Sequence, residues 1–283
     1  MKKNISIFVF AAVFGILLSG CVSEFNYVYR TNDYSYRYEY AKEQYAMGKY
    51  NRANLLFGEM VTLMKGTENG EECLFLYAMS AYKMKDYDAA AEVFRKYFTS
   101  YPKGQYAEEA CYFIGESLYG NVPEPRLDQT PTLQAIKAYQ DFMDIFPYSE
   151  RKNLATKRIY ELQDKLVEKE YLNAKLYFNL GTYFGNCIGS GGNNYEACIV
   201  TAQNALKDYP FTTLREEFAS LIMKSKFELA AHSVKEKQAE RFQDAEDECY
   251  GFLNEYPNSK EREVAEKYIE KCKRYNEGKL SFD

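Results

Sequence analysis

A pattern that returns after 37 residues constrains this chain more than any other feature. It reads Ala41-x₃-Tyr45-x₂-Gly48-x-Tyr50-x₂-Ala53-x₃-Phe57, then Ala78-x₃-Tyr82-x₂-Lys85-x-Tyr87-x₂-Ala90-x₃-Phe94. A third copy opens at Gly115-x₃-Tyr119, and its second half follows late, as Ala135-x₃-Tyr139-x₂-Phe142. The ending Tyr101-Pro102 returns as Phe146-Pro147, Tyr209-Pro210 and Tyr256-Pro257. Small residues at Ala41, Ala53, Ala78, Ala90 and Gly115 let two antiparallel helices approach closely, and Phe57 and Phe94 fill the groove beside them. Proline has no N–H and disfavours helical geometry in the residue before it, so each aromatic-Pro pair ends a helix. A lone helix pair of this kind cannot bury its apolar face, so the copies must stack on one another.

The pattern predicts an all-α fold, a solenoid of tetratricopeptide-type (TPR) helix–turn–helix units. Five units are expected, over about 34–67, 70–103, 105–148, 150–211 and 213–258, then a closing helix from Ser259 to about Tyr275. The additional length falls in the loop Gly120–Pro131, in a long helix from Leu154 to Phe184, and around Val234–Arg241. Thr213 with Glu216, and Asn258 with Glu261, have the spacing of N-terminal capping pairs. Only 7 Pro and 16 Gly occur, too few for a sandwich or barrel with many turns.

The N-terminus has a separate purpose. Lys2 and Lys3 precede an apolar run from Ile5 to Leu18, which ends in Leu18-Ser19-Gly20-Cys21. That order marks a bacterial signal peptide over residues 1–20 with a lipobox, and the run is short of the about 20 apolar residues that span a bilayer. Cleavage before Cys21 and its lipidation are expected, with residues 21–33 as an extended tether. Several acyl chains make a durable anchor, since each buried CH₂ contributes about 0.8 kcal/mol. Without the first 20 residues the chain has 34 basic and 41 acidic residues, which gives no basic excess for nucleic acid.

Six further cysteines, Cys73, Cys111, Cys187, Cys198, Cys249 and Cys272, lie mostly in helical patterns and read as small core residues. Cys187 and Cys198 flank Gly189–Gly192 and are the one candidate disulfide. His232 is the only histidine, so neither a histidine-based triad nor a two-His metal site can be built, and it reads as a helix-end surface residue. No phosphate loop, zinc-protease helix, nucleophile elbow or dinucleotide fingerprint occurs, and Gly189–Gly192 lacks the lysine of a phosphate loop. No catalytic residue, metal site or cofactor is expected, and Glu108-Glu109, Glu216-Glu217 and Asp244–Glu248 read as helix-surface charges.

In such stacks the first helix of each unit lines the inner wall. Register then places Tyr38, Phe75 and Tyr112 in one aromatic row, and Tyr45, Tyr82 and Tyr119 in a second. Two ladders along a groove would suit an extended peptide with apolar side chains. One ladder is equally suited to be core between units, the later row more readily than the earlier.

The lipobox, the five units, the loop in the third and the lengthening of the fourth together resemble the BamD family, lipoproteins of the outer-membrane β-barrel assembly machinery. The residues that carry the resemblance are Cys21, Ala41–Phe57, Ala78–Pro102, Gln129-x₅-Ala135-Ile136-x₂-Tyr139-x₂-Phe142-x₄-Pro147, Pro210 and Pro257. The resemblance implies a non-enzymatic scaffold, lipid-anchored on the periplasmic face of the outer membrane. It implies two partners: the periplasmic POTRA region of a BamA-like barrel protein on the C-terminal repeats (149–283), and unfolded outer-membrane protein precursors on the N-terminal repeats (34–148), at the Tyr38/Phe75/Tyr112 wall. Two other readings compete, a TPR protein coordinating the envelope with the Tol–Pal system and a glycan-binding TPR lipoprotein. The first usually has a coiled-coil segment and no lipobox; the second is typically longer, with surface tryptophans, and this chain has no Trp.

Overall fold

Helices begin and end close to where the repeat places them. The structure, a computed structural model, describes residues 24–183 and 193–282. Residues 24–30 are helical (α1). Five pairs follow: Tyr34–Ala46 (α2) with Tyr50–Leu63 (α3), Gly70–Lys83 (α4) with Tyr87–Ser100 (α5), Ala107–Gly120 (α6) with Thr130–Ile145 (α7), Lys152–Leu180 (α8) with Asn194–Asp208 (α9), and Arg215–Ala231 (α10) with Lys235–Glu255 (α11). Arg262–Asn276 (α12) closes the chain, and no strand occurs among the described residues. This is the TPR-type stack: from α2 to α7 each helix packs on the next in sequence, and so does each from α9 to α12.

The helices belong to two compact units. The first runs up to Val122 and resumes over Thr130–Ile159; the second is Pro123–Gln129 with the chain from Tyr160 onward. The division falls inside α8, eleven residues beyond the 148/149 boundary drawn from sequence. Pro147 ends a unit in sequence, but the first residues of α8 contribute Ala155 and Ile159 to buried packing within the first unit.

The small residues act as predicted. Ala41, Ala53, Ala78 and Ala90 are fully buried, and a Cβ added at Gly115 would stand 2.7 Å from the Tyr139 ring. The turn inside the first pair needs a left-handed residue, Gly48 at φ 74°; the same register position in the second pair is Lys85 at φ 64°. A residue with a Cβ is uncommon in that conformation. Lys49 N–H donates to Gln44 and Asp86 N–H to Ala81, both at the length of the six-residue closure that ends a helix.

Three of the aromatic-Pro endings share one geometry. Tyr101, Tyr209 and Tyr256 hold φ between −132° and −125° with ψ 62–67°, and donate their N–H groups to the carbonyls four residues back. The turns after Pro147, Pro210 and Pro257 carry a device the sequence reading missed. Two residues after the proline, the hydroxyls of Ser149, Thr212 and Ser259 accept from the backbone N–H of Arg151, Leu214 and Glu261 at 3.0–3.1 Å. Five residues after it, Lys152, Arg215 and Arg262 donate to the proline carbonyl. The capping pairs expected at Thr213 and Asn258 do not form: Leu214 and Glu261 are the N-cap residues, without side-chain caps, because the neighbouring Thr212 and Ser259 already hold the turn.

Two further expectations are corrected. Residues 24–30 are not an extended tether, because Val28 is fully buried in the first core cluster with Phe25 and Tyr29 against it. Their spacing, i, i+3 and i+4, makes one apolar helix face. The long helix of the fourth pair ends at Leu180, since Gly181 adopts φ 53° and donates to the carbonyls of Tyr177 and Phe178. Phe184, Cys21, Cys187 and Gly189–Gly192 lie outside the described residues.

Candidate functional site

The first helices of the first three pairs, α2, α4 and α6, present the two aromatic rows, and the structure assigns them opposite parts. Tyr38, Phe75 and Tyr112 are core, with exposures of 1, 6 and 8 %. They cannot form the ligand wall expected of them. Tyr38 sits edge-on to Phe57, while Phe75 meets Phe94 and Tyr97 and stacks on Tyr106 at 4.4 Å. Tyr112 meets Phe142 at 5.4 Å. A position three residues before the small contact residue lies on the same helix face, turned toward the second helix of the pair.

The later row, Tyr45, Tyr82 and Tyr119, is half-buried and keeps part of each ring accessible. Tyr45 rests edge-on against Tyr50, Tyr82 against Tyr87 and Phe113, and Arg158 lies 4.2 Å over the Tyr119 ring. The expected order of the rows was therefore inverted.

Charges run beside this row, and the sequence reading left them out. Lys42 pairs with Glu72 at 3.2 Å, and Arg151 pairs with Glu109 at 3.1 Å while covering the rings of Tyr112 and Phe113. Glu116, only 9 % exposed, accepts from Tyr112 at 2.9 Å, from Tyr139 at 2.7 Å and from Arg158 Nε at 3.1 Å. Glu72 accepts from Tyr38, and Glu71 accepts from Tyr97. A signal for some of this was present: Glu72 and Glu109 share one register of the repeat. Glu109, first read as a surface charge, is a half-buried member of the wall.

Burial, with the hydrogen-bonded carboxylates second, pushes the phenols of Tyr38, Tyr97, Tyr112 and Tyr139 above their ordinary value. Burial also raises those of Tyr45, Tyr82 and Tyr106. All of them are neutral hydrogen-bond donors at physiological pH. The wall thus offers ring edges, phenol hydroxyls and alternating charges in a fixed order, which suits recognition of an extended polypeptide.

The second unit has its own concavity, a cavity of about 560 Å³ bordered by Tyr171, Lys175, Glu217, Leu221, Lys224 and Glu261. Lys224 and Glu261 pair across it at 2.7 Å.

The described cysteines are buried free thiols, Cys73, Cys111, Cys198, Cys249 and Cys272, as the core reading expected. Desolvation pushes Cys73, Cys111, Cys249 and Cys272 up to about 12. Cys187, the proposed bridge partner of Cys198, is outside the described residues. His232 caps the C-terminal end of α10 at the surface, with Nδ1 2.9 Å from the Glu228 carbonyl oxygen. Among the described residues no helix is long and apolar enough to cross a membrane.

Comparison with known proteins bears on both units. An Aquifex aeolicus (strain VF5) protein named as the outer membrane protein assembly factor BamD is 28 % identical over 153 residues. That segment is 53 % of this chain and 50 % of the relative, so the chain matches about half the length of that protein. The YfiO family, described as outer membrane lipoprotein, matches residues 30–188, which is more than half of the chain and includes all seven helices from α2 to α8. The chain belongs to the YfiO family of outer membrane lipoproteins.

Proposed function

We propose that this protein is a non-catalytic scaffold of outer-membrane β-barrel protein assembly, anchored by acyl chains on Cys21 at the periplasmic face of the outer membrane. The half-exposed row of Tyr45, Tyr82 and Tyr119, with its flanking ion pairs, receives unfolded barrel precursors in extended form. The repeats from residue 149 onward bind the POTRA region of a BamA-like barrel protein. Membership of an outer membrane lipoprotein family supports the location, the lipobox supports the anchor, and the relative's name supports the assembly role.

The observation that carries the reading is the accessible aromatic row itself, since aromatic faces supply large contact area at low entropic cost. Site-specific crosslinking and equilibrium binding of an unfolded barrel precursor test it. Tyr82→Ala is expected to weaken binding by about 1–2 kcal/mol, the scale of an aromatic anchor at an interface. Phe75→Ala should act on folding instead. Unchanged precursor binding by Tyr82→Ala, or normal barrel protein levels after depletion of this protein, would reject the proposal.

A further inference from the structure

Arg37 stands in the first turn of α2, only 7 % exposed, with its Nε buried and without a hydrogen-bond partner. Its guanidinium carbon lies 5.6 Å from the Tyr29 ring centre and 6.0 Å from that of Tyr34. Among the described residues no carboxylate pairs with it. The nearby acidic groups are engaged elsewhere: Asp33 caps Tyr36 N–H, and Glu59 accepts from Tyr29. Desolvating a guanidinium costs far more than two ring contacts return, so a site of this kind is complete only with an anion in it.

The surroundings indicate which anion. Arg30 is exposed on α1, and Arg52 lies 5.3 Å over the Phe25 ring. Tyr27 is 69 % exposed, and Tyr34 and Tyr36 are more than two-fifths exposed. Exposed tyrosines interleaved with arginines are the composition of a surface at the headgroup level of a bilayer. The chain places them there as well, since only Val22 and Ser23 separate Cys21 from Glu24, three steps with a reach of at most about 11 Å.

We propose that α1 and the first turn of α2 form a lipid-docking surface in which Arg37 takes the phosphate of a membrane lipid headgroup. The guanidinium fork matches phosphate oxygens two at a time, and Tyr29 and Tyr34 hold its plane. Arg30 adds long-range attraction to an anionic surface. The lipid on Cys21 would then tether the protein, while this surface fixes how the first repeat meets the membrane. The inference rests on the anchor reading above, because that reading brings α1 to the bilayer.

The test uses the chain from residue 21 to 283 with Cys21→Ser, so that no acyl chain contributes. It is floated with vesicles of phosphatidylcholine, with and without phosphatidylglycerol. Binding to the anionic vesicles is expected to fall about fivefold in Arg37→Gln, which is about 1 kcal/mol per arginine at such a surface. Arg37→Lys should lie between. In buffer alone Arg37→Gln should melt no lower than the wild type, since it removes an unpaired buried charge. Arg30→Gln, outside the core, should also weaken binding and keeps the test decisive if Arg37→Gln fails to fold. Equal vesicle binding by the wild type and both glutamine variants overturns the proposal. So does stabilisation by inorganic phosphate without vesicle binding, which would make this a site for a free anion. Mass measurement of the mature protein tests acylation of Cys21 separately, so failure of the anchor and failure of the headgroup site are distinguishable.

Discussion

In the first unit the carboxylates of Glu71, Glu72 and Glu116 accept from tyrosine hydroxyls, whereas in the second Glu248, Glu255 and Glu261 pair with Lys226, Arg215 and Lys224. The cores differ in the same sense. Tyr38, Tyr97 and Tyr139 are among the largest fully buried side chains of the first unit, while the second buries Phe218, Phe242 and Met223. Its thiols Cys198, Cys249 and Cys272 stand where small residues are needed. A phenol–carboxylate bond away from water is directional and little affected by salt. Half-exposed ion pairs are loosely directed and screened. At Glu116 the first unit therefore fixes the register of its helices with polar bonds inside the core, whereas the second relies on apolar packing plus ion pairs at its rim.

Alkali should separate the two units most. An acid whose folded pKa is raised holds its proton more tightly in the folded chain, so its contribution is intact below the unfolded value and is lost as pH climbs beyond it. Both units contain thiols raised from 9.0 to about 12, Cys73 and Cys111 in one, Cys249 and Cys272 in the other. The first unit adds the phenols of Tyr38, Tyr97, Tyr112 and Tyr139, all raised from 10.0 by burial and by carboxylates. The second has Tyr268, raised to about 12, and more weakly affected phenols. Stability should hold to about pH 9 and then fall, with the first unit lost before the second. Limited proteolysis along a pH series locates the first cuts; cuts appearing first beyond Tyr160 would break the comparison.

A single substitution should show the same asymmetry on a smaller scale. Glu116→Ala leaves the hydroxyls of Tyr112 and Tyr139 without this acceptor and removes one acceptor from the guanidinium of Arg158. Removing the acceptor from a buried network leaves both phenols unsatisfied, and a loss of about 3 kcal/mol is expected in urea unfolding. Glu116→Gln keeps the shape and one acceptor oxygen and should lose less. A loss under about 1 kcal/mol for Glu116→Ala would mean that the network is dispensable.

How legible each part was follows from what each pattern encodes. Helix pairs and their ends could be read because small residues, aromatics and prolines recur at fixed spacing, and the five pairs fall within a few residues of their expected bounds. The facing of a row could not be read. Tyr38 and Tyr45 are seven residues apart, nearly two full turns, so periodicity places both on the same side of α2. Their difference in depth depends on how the neighbouring helix crosses, which one helix pattern does not contain. Glu116 escaped notice for another reason: its partners Tyr139 and Arg158 are 23 and 42 residues away, joined only by the stack. The turn device after Pro147, Pro210 and Pro257 was legible in principle, since Ser149, Thr212 and Ser259 share one offset, as do Lys152, Arg215 and Arg262.

The smallest effect belongs to the rim of the second unit. Lys226 Nζ lies 2.6 Å from Glu248, both side chains a little over a quarter exposed. Water and salt reach such a pair, so Lys226→Ala should lower stability by no more than about 1 kcal/mol, and by less as ionic strength rises. The phenol bonds to Glu116 should show no such salt dependence, because the acceptor is only 10 % exposed at its side chain. Urea unfolding of Glu116→Ala and Lys226→Ala at low and high salt reads both slopes together. If the two losses shrink equally with salt, the carboxylate of Glu116 is as wet as that of Glu248, and the distinction between a core-fixed unit and a rim-fixed unit fails.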